Sequence, residues 1–490
     1  MAVSNQVKNQ HLLWRAGFGP AVEQITELSQ VTPAQYFKAL VKASDKKPEY
    51  INVVNEELQN LYEDTMDAGR RSSLTADMRR DLARQQREAI RDLNIYWFKE
   101  MITSRAQLRE KMAFFWHGHF ASRNQNVFYN QLLLHILREH GLGNFGTLLR
   151  EVSHSASMLF FLNNQQNKKG HPNENFAREV MELFTLGRGN YTETDIKEAA
   201  RAFTGWAANA KGEFVFRKGQ HDSDSKTIFS KTRNFNGDDV LDLLLDNPQT
   251  ARFITQKIYR FFVNDDVDPA IHAKLSDQFY KSKYNIGKLM ETIFTSDWFY
   301  SEKNIGARIK SPVELLAGIQ RMIPMRLEND NVWINLQRIL GQQLLFPPNV
   351  AGWPGGKTWI DSSTLMARMR IPQMFNDKDS LNIAPKADDD QMMGRKGDGA
   401  AAIPTESVKK KTAKKSGELI NAQMDWPQYV SKFEKVKKEE LLPQIKQVLL
   451  QVKAANLDSP VNSTLDASSR EAFIRSSTIQ LMSTPEYQLC

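Results

Sequence analysis

The sequence predicts an all-α, mainly helical fold: one large multi-helix domain with a small β-hairpin or extended excursion. Three observations carry that prediction. Apolar residues recur at three- and four-residue spacing through most of the chain, as one face of a helix requires. The breaks carry helix punctuation, such as Pro172 before and Gly187 after the stretch from Asn173 to Leu186. Only Glu213–Phe229 reads as strand, with Phe214-Val215-Phe216 and Thr227-Ile228-Phe229 flanking a polar tip.

In order, residues 6–16 and 33–44 read as short helices around the turn Gly17-Phe18-Gly19-Pro20. Residues 50–104, rich in Glu, Arg, Gln and Leu, suit two long, partly exposed helices. Arg105–Phe120 is an aromatic-rich helix, Tyr129–His140 another ended by Gly141 and Gly143, and Phe145–Leu162 continues in the same style. Thr192 and Asp195 fit a capping box opening a helix that runs to about Phe203. Asp238–Phe262, Pro269–Lys283, Ile286–Trp298, a helix from Ser311-Pro312 to Met322, and Asn331–Gln343 follow. Phe346–Asp361 is too rich in Pro and Gly to be regular, so Trp353 and Trp359 within it must pack on something. The window Lys386–Lys415 holds eight basic and five acidic residues and few large apolar ones. Such composition cannot bury enough surface to offset chain entropy. The expected organisation is therefore a main helical domain over 1–385, a disordered basic insertion over 386–420, and helices over 421–490 that pack back on the main domain.

Composition narrows the function classes. The chain has 490 residues, 41% apolar and 25% charged, as soluble globular proteins do. No run of about 18 apolar residues is present, so no membrane span is expected. Met1–Gly19 lacks a basic flank, apolar stretch and cleavage site, so no secretory signal is expected there and the chain reads as cytoplasmic as given. The net charge of +8 is mild for this length and reads as a solvated mixed surface rather than a nucleic-acid face. Cys490 is the single cysteine, which excludes an intrachain disulfide and a paired-cysteine zinc site.

Candidate chemistry centres on Asn173–Gly187. At helical period Asn175, Arg178, Glu179 and Glu182 share one face, while Phe176, Val180, Leu183 and Phe184 mark the apolar side. If buried, such charges must be paired, ligated or catalytic. Two carboxylates with histidines make a common oxygen–nitrogen site for a divalent metal. The competing reading is a structural ion network in which Arg178 pairs with a glutamate. His117 and His119, two apart, would point about 200° apart on a regular helix. One is a candidate ligand, and both could reach one metal only if Gly118 distorts the helix. His221-Asp222, followed by Asp224 and Lys226, is either a general base or ligand pair or simply a turn. No phosphate-binding loop, nucleophile elbow or kinase signature is present.

Together, Phe115-Trp116-His117-Gly118-His119-Phe120, Asn173 to Glu179 running into Glu182-Leu183-Phe184-Thr185-Leu186-Gly187, Arg201-Ala202-Phe203-Thr204-Gly205-Trp206, His221-Asp222 and Ala351-Gly352-Trp353-Pro354 resemble the bacterial DUF1800 proteins. The resemblance runs from Leu13-Trp14-Arg15-Ala16-Gly17-Phe18-Gly19 to Gln488-Leu489-Cys490. It implies an organisation and a set of motif positions, not an activity. It also implies that the motifs around His117, Glu179 and His221 converge on one pocket. Members are often encoded beside DUF1501 proteins, which look like sulfatases or alkaline phosphatases, and many members read as exported. Many carry His where this chain has Phe184.

Two readings follow. In the first the chain is a metal-dependent hydrolase: His117, His119, Glu179, Glu182 and His221 supply ligands, with Asn173, Asn175, Lys226 and Trp353 completing the pocket. Glu179 is the general base, Arg178 stabilises developing negative charge, and His221 and Asp222 assist. In the second it is a non-catalytic binding or assembly partner of a sulfatase-like DUF1501 protein. In that case the polar cluster holds helices together, and the Trp353 loop and basic insertion meet the partner.

Overall fold

In the computed structural model, which describes residues 3–66, 75–209, 211–377, 380–381, 418–452 and 465–490, most helices begin at side-chain caps. Thr32 with Gln35, Thr192 with Asp195, and Ser311 with Glu314 close reciprocal capping boxes, each satisfying backbone N–H groups the first turn leaves free. Among the described residues there are twenty α-helices, and the β structure is confined to two-stranded pairs. None of these helices is long and apolar enough to cross a membrane.

Several expected helices are subdivided for local reasons. Phe145–Leu162 breaks at Ser155, whose hydroxyl caps a second helix, Ala156–Phe161. Asp238–Phe262 breaks at Asn247-Pro248: the first helix is Gly237–Asp246, and Asn247 caps Pro248–Phe262. A proline excludes the helical conformation from the residue before it and starts the next helix readily. The expected stretch Asn173–Gly187 is an α-helix only over Glu174–Glu179. It continues as a π-helical turn, Val180–Thr185, in which Leu186 N–H donates to the Met181 carbonyl at 2.8 Å.

The β excursion differs from expectation. Phe214–Phe216 does not pair with the strand containing Ile228. It pairs antiparallel with Trp206–Ala208, and Lys226–Ile228 pairs with Lys231–Arg233. The second hairpin turns at Phe229 and Ser230, with φ of 48° and 61°. Both residues are left-handed, the conformation of a two-residue hairpin turn that matches strand twist. Neither is the Gly or Asn that usually announces such a turn, so the local sequence concealed it.

The hub of the fold is the helix Gln107–His119. Every residue in it except Gly118 is buried. It packs on Asn5–Ala16, Pro33–Ser44, Ala76–Thr103 and Val127–His140. Three of its buried residues are charged and all are paired. Arg109 and Arg138 hold Glu110 at 3.1 Å and 2.9 Å, and Trp97 donates its indole N–H to the same carboxylate. Lys111 donates to Glu314 and to the Trp14 carbonyl.

The C-terminal residues return to this hub. Met325–Leu327 pairs antiparallel with Ala422–Met424, Ile309 bridges Leu489, and Arg15 donates to the Cys490 carbonyl oxygen at 2.8 Å. Of the insertion expected over 386–420, residues 386–417 lie outside the described residues. Glu418–Leu419 forms a strand against Ser380–Leu381, and Ile420 is buried.

The Lys111–Glu314 pair generates a prediction. The side chains are 0% and 1% exposed. Burial alone would raise the Glu314 pKa, but the Lys111 ammonium and the Arg308 guanidinium outweigh it and hold the carboxyl at about 2. Glu314→Gln leaves Lys111 buried without its counter-charge and should cost about 3–5 kcal/mol in urea denaturation at pH 7. A depressed carboxyl stabilises above its unfolded pKa and loses that contribution as pH falls. The deficit of the variant should therefore shrink as pH is lowered from 4.5 toward 2. An equal deficit at both ends would show that the charge is not the cause.

Candidate functional site

The motif residues assemble at two ends of the Glu174–Thr185 helix. At its start, Asn173 caps the helix by accepting from Asn175 N–H, and its own N–H donates to Asn167 Oδ1 at 2.9 Å. Asn175 donates to the Leu162 carbonyl at 3.0 Å. The Asn167 carbonyl accepts from Gly205 N–H, and Lys169 N–H donates to the Gln220 carbonyl, which brings the His221 loop to this end. There Arg201 holds Asp222 at 2.8 Å, and Thr204 Oγ1 accepts from Asp222 N–H. His221 Nδ1 lies 2.9 Å from the Thr204 carbonyl. Lys226, buried, donates to the Asp224 carbonyl, the Asp222 carbonyl and Asn234 Oδ1. His221 and Asp222 thus face different partners, and this pair tightens a loop instead of forming an imidazole–carboxylate dyad.

At the other end, His119 Nε2 lies 3.2 Å from the Phe184 carbonyl, and its Nδ1 lies 3.2 Å from Lys257 Nζ. Lys257 also donates to the Leu183 carbonyl at 3.2 Å. The last carbonyls of a helix have no partner within it, and here buried His119 and partly buried Lys257 supply one. Burial pushes the Lys257 ammonium down to about 8. Phe184 lies against Phe120 and His119.

His117 projects to the opposite side. Its Nε2 accepts from Leu345 N–H at 3.3 Å, and its ring stacks on Trp353 with centroids 5.4 Å apart. Burial holds its pKa down at about 3, so the ring is neutral. Gly352 sits so close that a Cβ there would lie 2.3 Å from the Gly118 carbonyl oxygen. Trp353 and Trp359 therefore do pack, Trp353 on His117 and Trp359 at 6% exposure.

From Asn173 to Phe184 the helix rises by roughly 15 Å. His221 at one end and His119 at the other are not ligands of one ion, and His117 is turned away from both. Among the described residues, no group of three or more His, Cys, Asp or Glu is placed to hold a metal ion. The structure therefore does not gather His117, His119, Glu179, Glu182 and His221 into one ligand sphere.

Between the two ends lie Glu179 and Glu182, one turn apart. Arg178 pairs with neither. It forms a two-pronged bond with Glu193 at 2.9 Å and 2.7 Å and a 3.1 Å bond with Glu174, so the guanidinium is already committed. Glu182 accepts from Tyr191 OH and from Arg188 at 2.8 Å. Burial would raise its pKa, but these two donors outweigh that and lower it. Glu179 is half-buried and has no side-chain hydrogen bond among the described residues. Burial first, and the Glu182 charge second, push it up to about 7. Two adjacent carboxyls with separated affinities are the arrangement of an acid–base pair.

A family model described as a protein of unknown function (DUF1800) matches residues 11–489. The chain belongs to the DUF1800 family. Comparison with curated proteins and with solved structures found no match. The DUF1800 motifs thus resolve into contacts: Arg201-to-Trp206 closes on His221-Asp222, and Trp116-to-His119 carries the Gly352-Trp353 loop on one side and the π turn on the other. Sequence reasoning missed Tyr191, Arg188 and Lys257. Gly187 and Gly189, both at positive φ, fold Arg188 and Tyr191 back onto Glu182, a signal the paired glycines did offer. Nothing local marks Lys257.

Two outcomes follow for this DUF1800 chain. Because the folded pKa of Glu179 lies above that of an unfolded glutamate, the folded state binds the extra proton between pH 4.5 and 7, and stability falls with pH across that window. Glu179→Gln should leave the melting temperature unchanged near pH 4.5 and raise it above pH 7. After allowance for solvent screening the gain is about 1 kcal/mol. A constant offset at all pH values would place the Glu179 titration elsewhere. Gly352→Ala should cost about 1–3 kcal/mol through overpacking and should shift Trp353 emission to the red. Unchanged emission would mean that the loop tolerates the contact.

Proposed function

We propose that this protein is a hydrolase in which Glu179 is the general base. The observation that carries the reading is a half-buried carboxyl without a hydrogen-bond partner, titrating near neutral pH beside a carboxylate kept ionised by Tyr191 and Arg188. A base works best when its pKa lies near the working pH. In the reaction, the Glu179 carboxylate takes a proton from a water molecule as the water oxygen bonds to the electrophilic centre. The protonated Glu179 then returns that proton to the departing group, which leaves with the electrons of the broken bond. The negative charge of Glu182 makes Glu179 the stronger base. The π turn that carries Glu182 supports the same reading, because such turns recur at functional sites. The pair also offers oxygen ligands to a divalent ion, and loss of activity on chelation would identify a metal-dependent form of the reaction.

The second reading, assembly with a sulfatase-like DUF1501 protein, is favoured by one observation. Arg178, Asp222, Lys226 and His119 are all engaged within the chain, as in a structural polar network. The test is a screen of chromogenic esters, phosphates, sulfates and glycosides. The hydrolase reading expects turnover that rises with pH through about 7 and falls by about 10²–10⁴-fold in Glu179→Gln, with the fold retained by circular dichroism. Turnover unaffected by Glu179→Gln overturns it. No turnover, together with capture of a sulfatase-like partner by wild type and Glu179→Gln alike, establishes the second reading.

A further inference from the structure

A cleft of about 560 Å³, lined by no residue of the Glu179 helix, lies between the segment following Pro33–Ser44 and the end of Ala76–Thr103. Tyr50 and Tyr96 both line it, at 45% and 56% exposure. They are two of only five large apolar side chains exposed among the described residues. The Tyr50 ring is held from two sides: its hydroxyl accepts from Gln131 Nε2 at 3.3 Å, and it makes a T-shaped contact with His135, centroids 5.2 Å apart. An immobilised, exposed aromatic ring loses little entropy when a ligand stacks on it.

The charges of the cleft divide into two sets. Lys47, Lys99, Arg109 and Arg138 line it but are spent on Glu139, Asp330 and Glu110, and Arg138 also holds one oxygen of Glu100 at 3.1 Å. Of these pairs, those of Arg109 and Arg138 with Glu110 are buried. Lys46 and Arg105 also line it, are exposed, and have no side-chain partner among the described residues. They are the cations free to meet a ligand. The carboxylates of Glu49 and Glu100 line the same cleft. Carboxylates accept hydrogen bonds from hydroxyl groups.

We propose that this cleft binds an acidic sugar residue, its ring face stacked on Tyr50, its carboxylate or sulfate held by Lys46 and Arg105, and its hydroxyls donating to Glu49 and Glu100. The lining supplies each of these chemistries: flat apolar faces, unpaired cations and hydroxyl acceptors. This site does not depend on the acid–base role of Glu179.

Calorimetric titration of the full chain with trigalacturonate and with a sulfated heparin disaccharide tests the proposal and separates the two sources of the anion. Binding of either is expected, with neutral maltotriose and adenosine monophosphate at least tenfold weaker. Tyr50→Ala and the double change Lys46→Ala, Arg105→Ala should each weaken binding by about tenfold, the effect of losing one central contact. Glu179→Gln should bind as wild type. Absence of binding to both acidic sugars overturns the proposal, as does tighter binding of the nucleotide. Binding that persists in the double variant would place the anion elsewhere and equally overturns it. The exposed positions of Tyr50, Lys46 and Arg105 leave the core untouched, so circular dichroism of the variants should match wild type.

Discussion

The Lys111–Glu314 ion pair constrains much of this structure. Taking two charges out of water costs several kcal/mol each, and only close pairing with further hydrogen bonds offsets that cost. Glu314 receives both: the Lys111 ammonium, and the Ser311 N–H that closes the capping box of its own helix. Lys111 in turn donates to the Trp14 carbonyl. One polar contact thus ties the first helix, the buried hub helix and a helix two hundred residues later in the chain. Arg15, Arg308 and Lys310 crowd the same region, with Lys310 Nζ 3.9 Å above the Trp14 ring. A cluster so rich in cations admits few alternative packings, since any shift that separates Lys111 from Glu314 strands a buried charge.

The rigidity of the hub decides where its end can reach. His117 and His119 differ by about 200° around the helix, and both remain on it. One therefore faces the Gly352-Trp353 loop and the other the π turn. His119 and Lys257 hold the final carbonyls of that turn, and the turn carries Glu182 toward Tyr191. The polar motifs of the family form a connected frame around the Glu179 helix. Most of their side chains are engaged within the frame, whereas Glu179 has no side-chain hydrogen bond among the described residues. A half-buried carboxyl left unpaired opposes stability, and such local sacrifices are characteristic of functional positions.

Much of the architecture was legible in the sequence because its causes are local. Helical periodicity, the Thr192 and Ser311 capping boxes, and the glycines after His140 and Leu186 act within a turn or two of the chain. They indicated the helical class and most helix positions. The shared face of Glu179 and Glu182 was legible for the same reason. The π turn and the Phe229-Ser230 hairpin were not, because tertiary packing selects them over alternatives of similar local energy; the breaks at Ser155 and Asn247-Pro248 have local causes, but the apolar periodicity runs on across them.

What the sequence by itself determined was which residues lie near one another along a helix. Which helices meet was left to the tertiary structure. That is why Arg178 turned out to serve Glu174 and Glu193, why Asp222 belongs to Arg201, and why Lys257, unmarked in its own helix, sits on the π turn. It is also why the three histidine motifs divide between the ends and sides of one helix. A helix face specifies direction but not partner, and burial free energy is gained from whichever faces pack together.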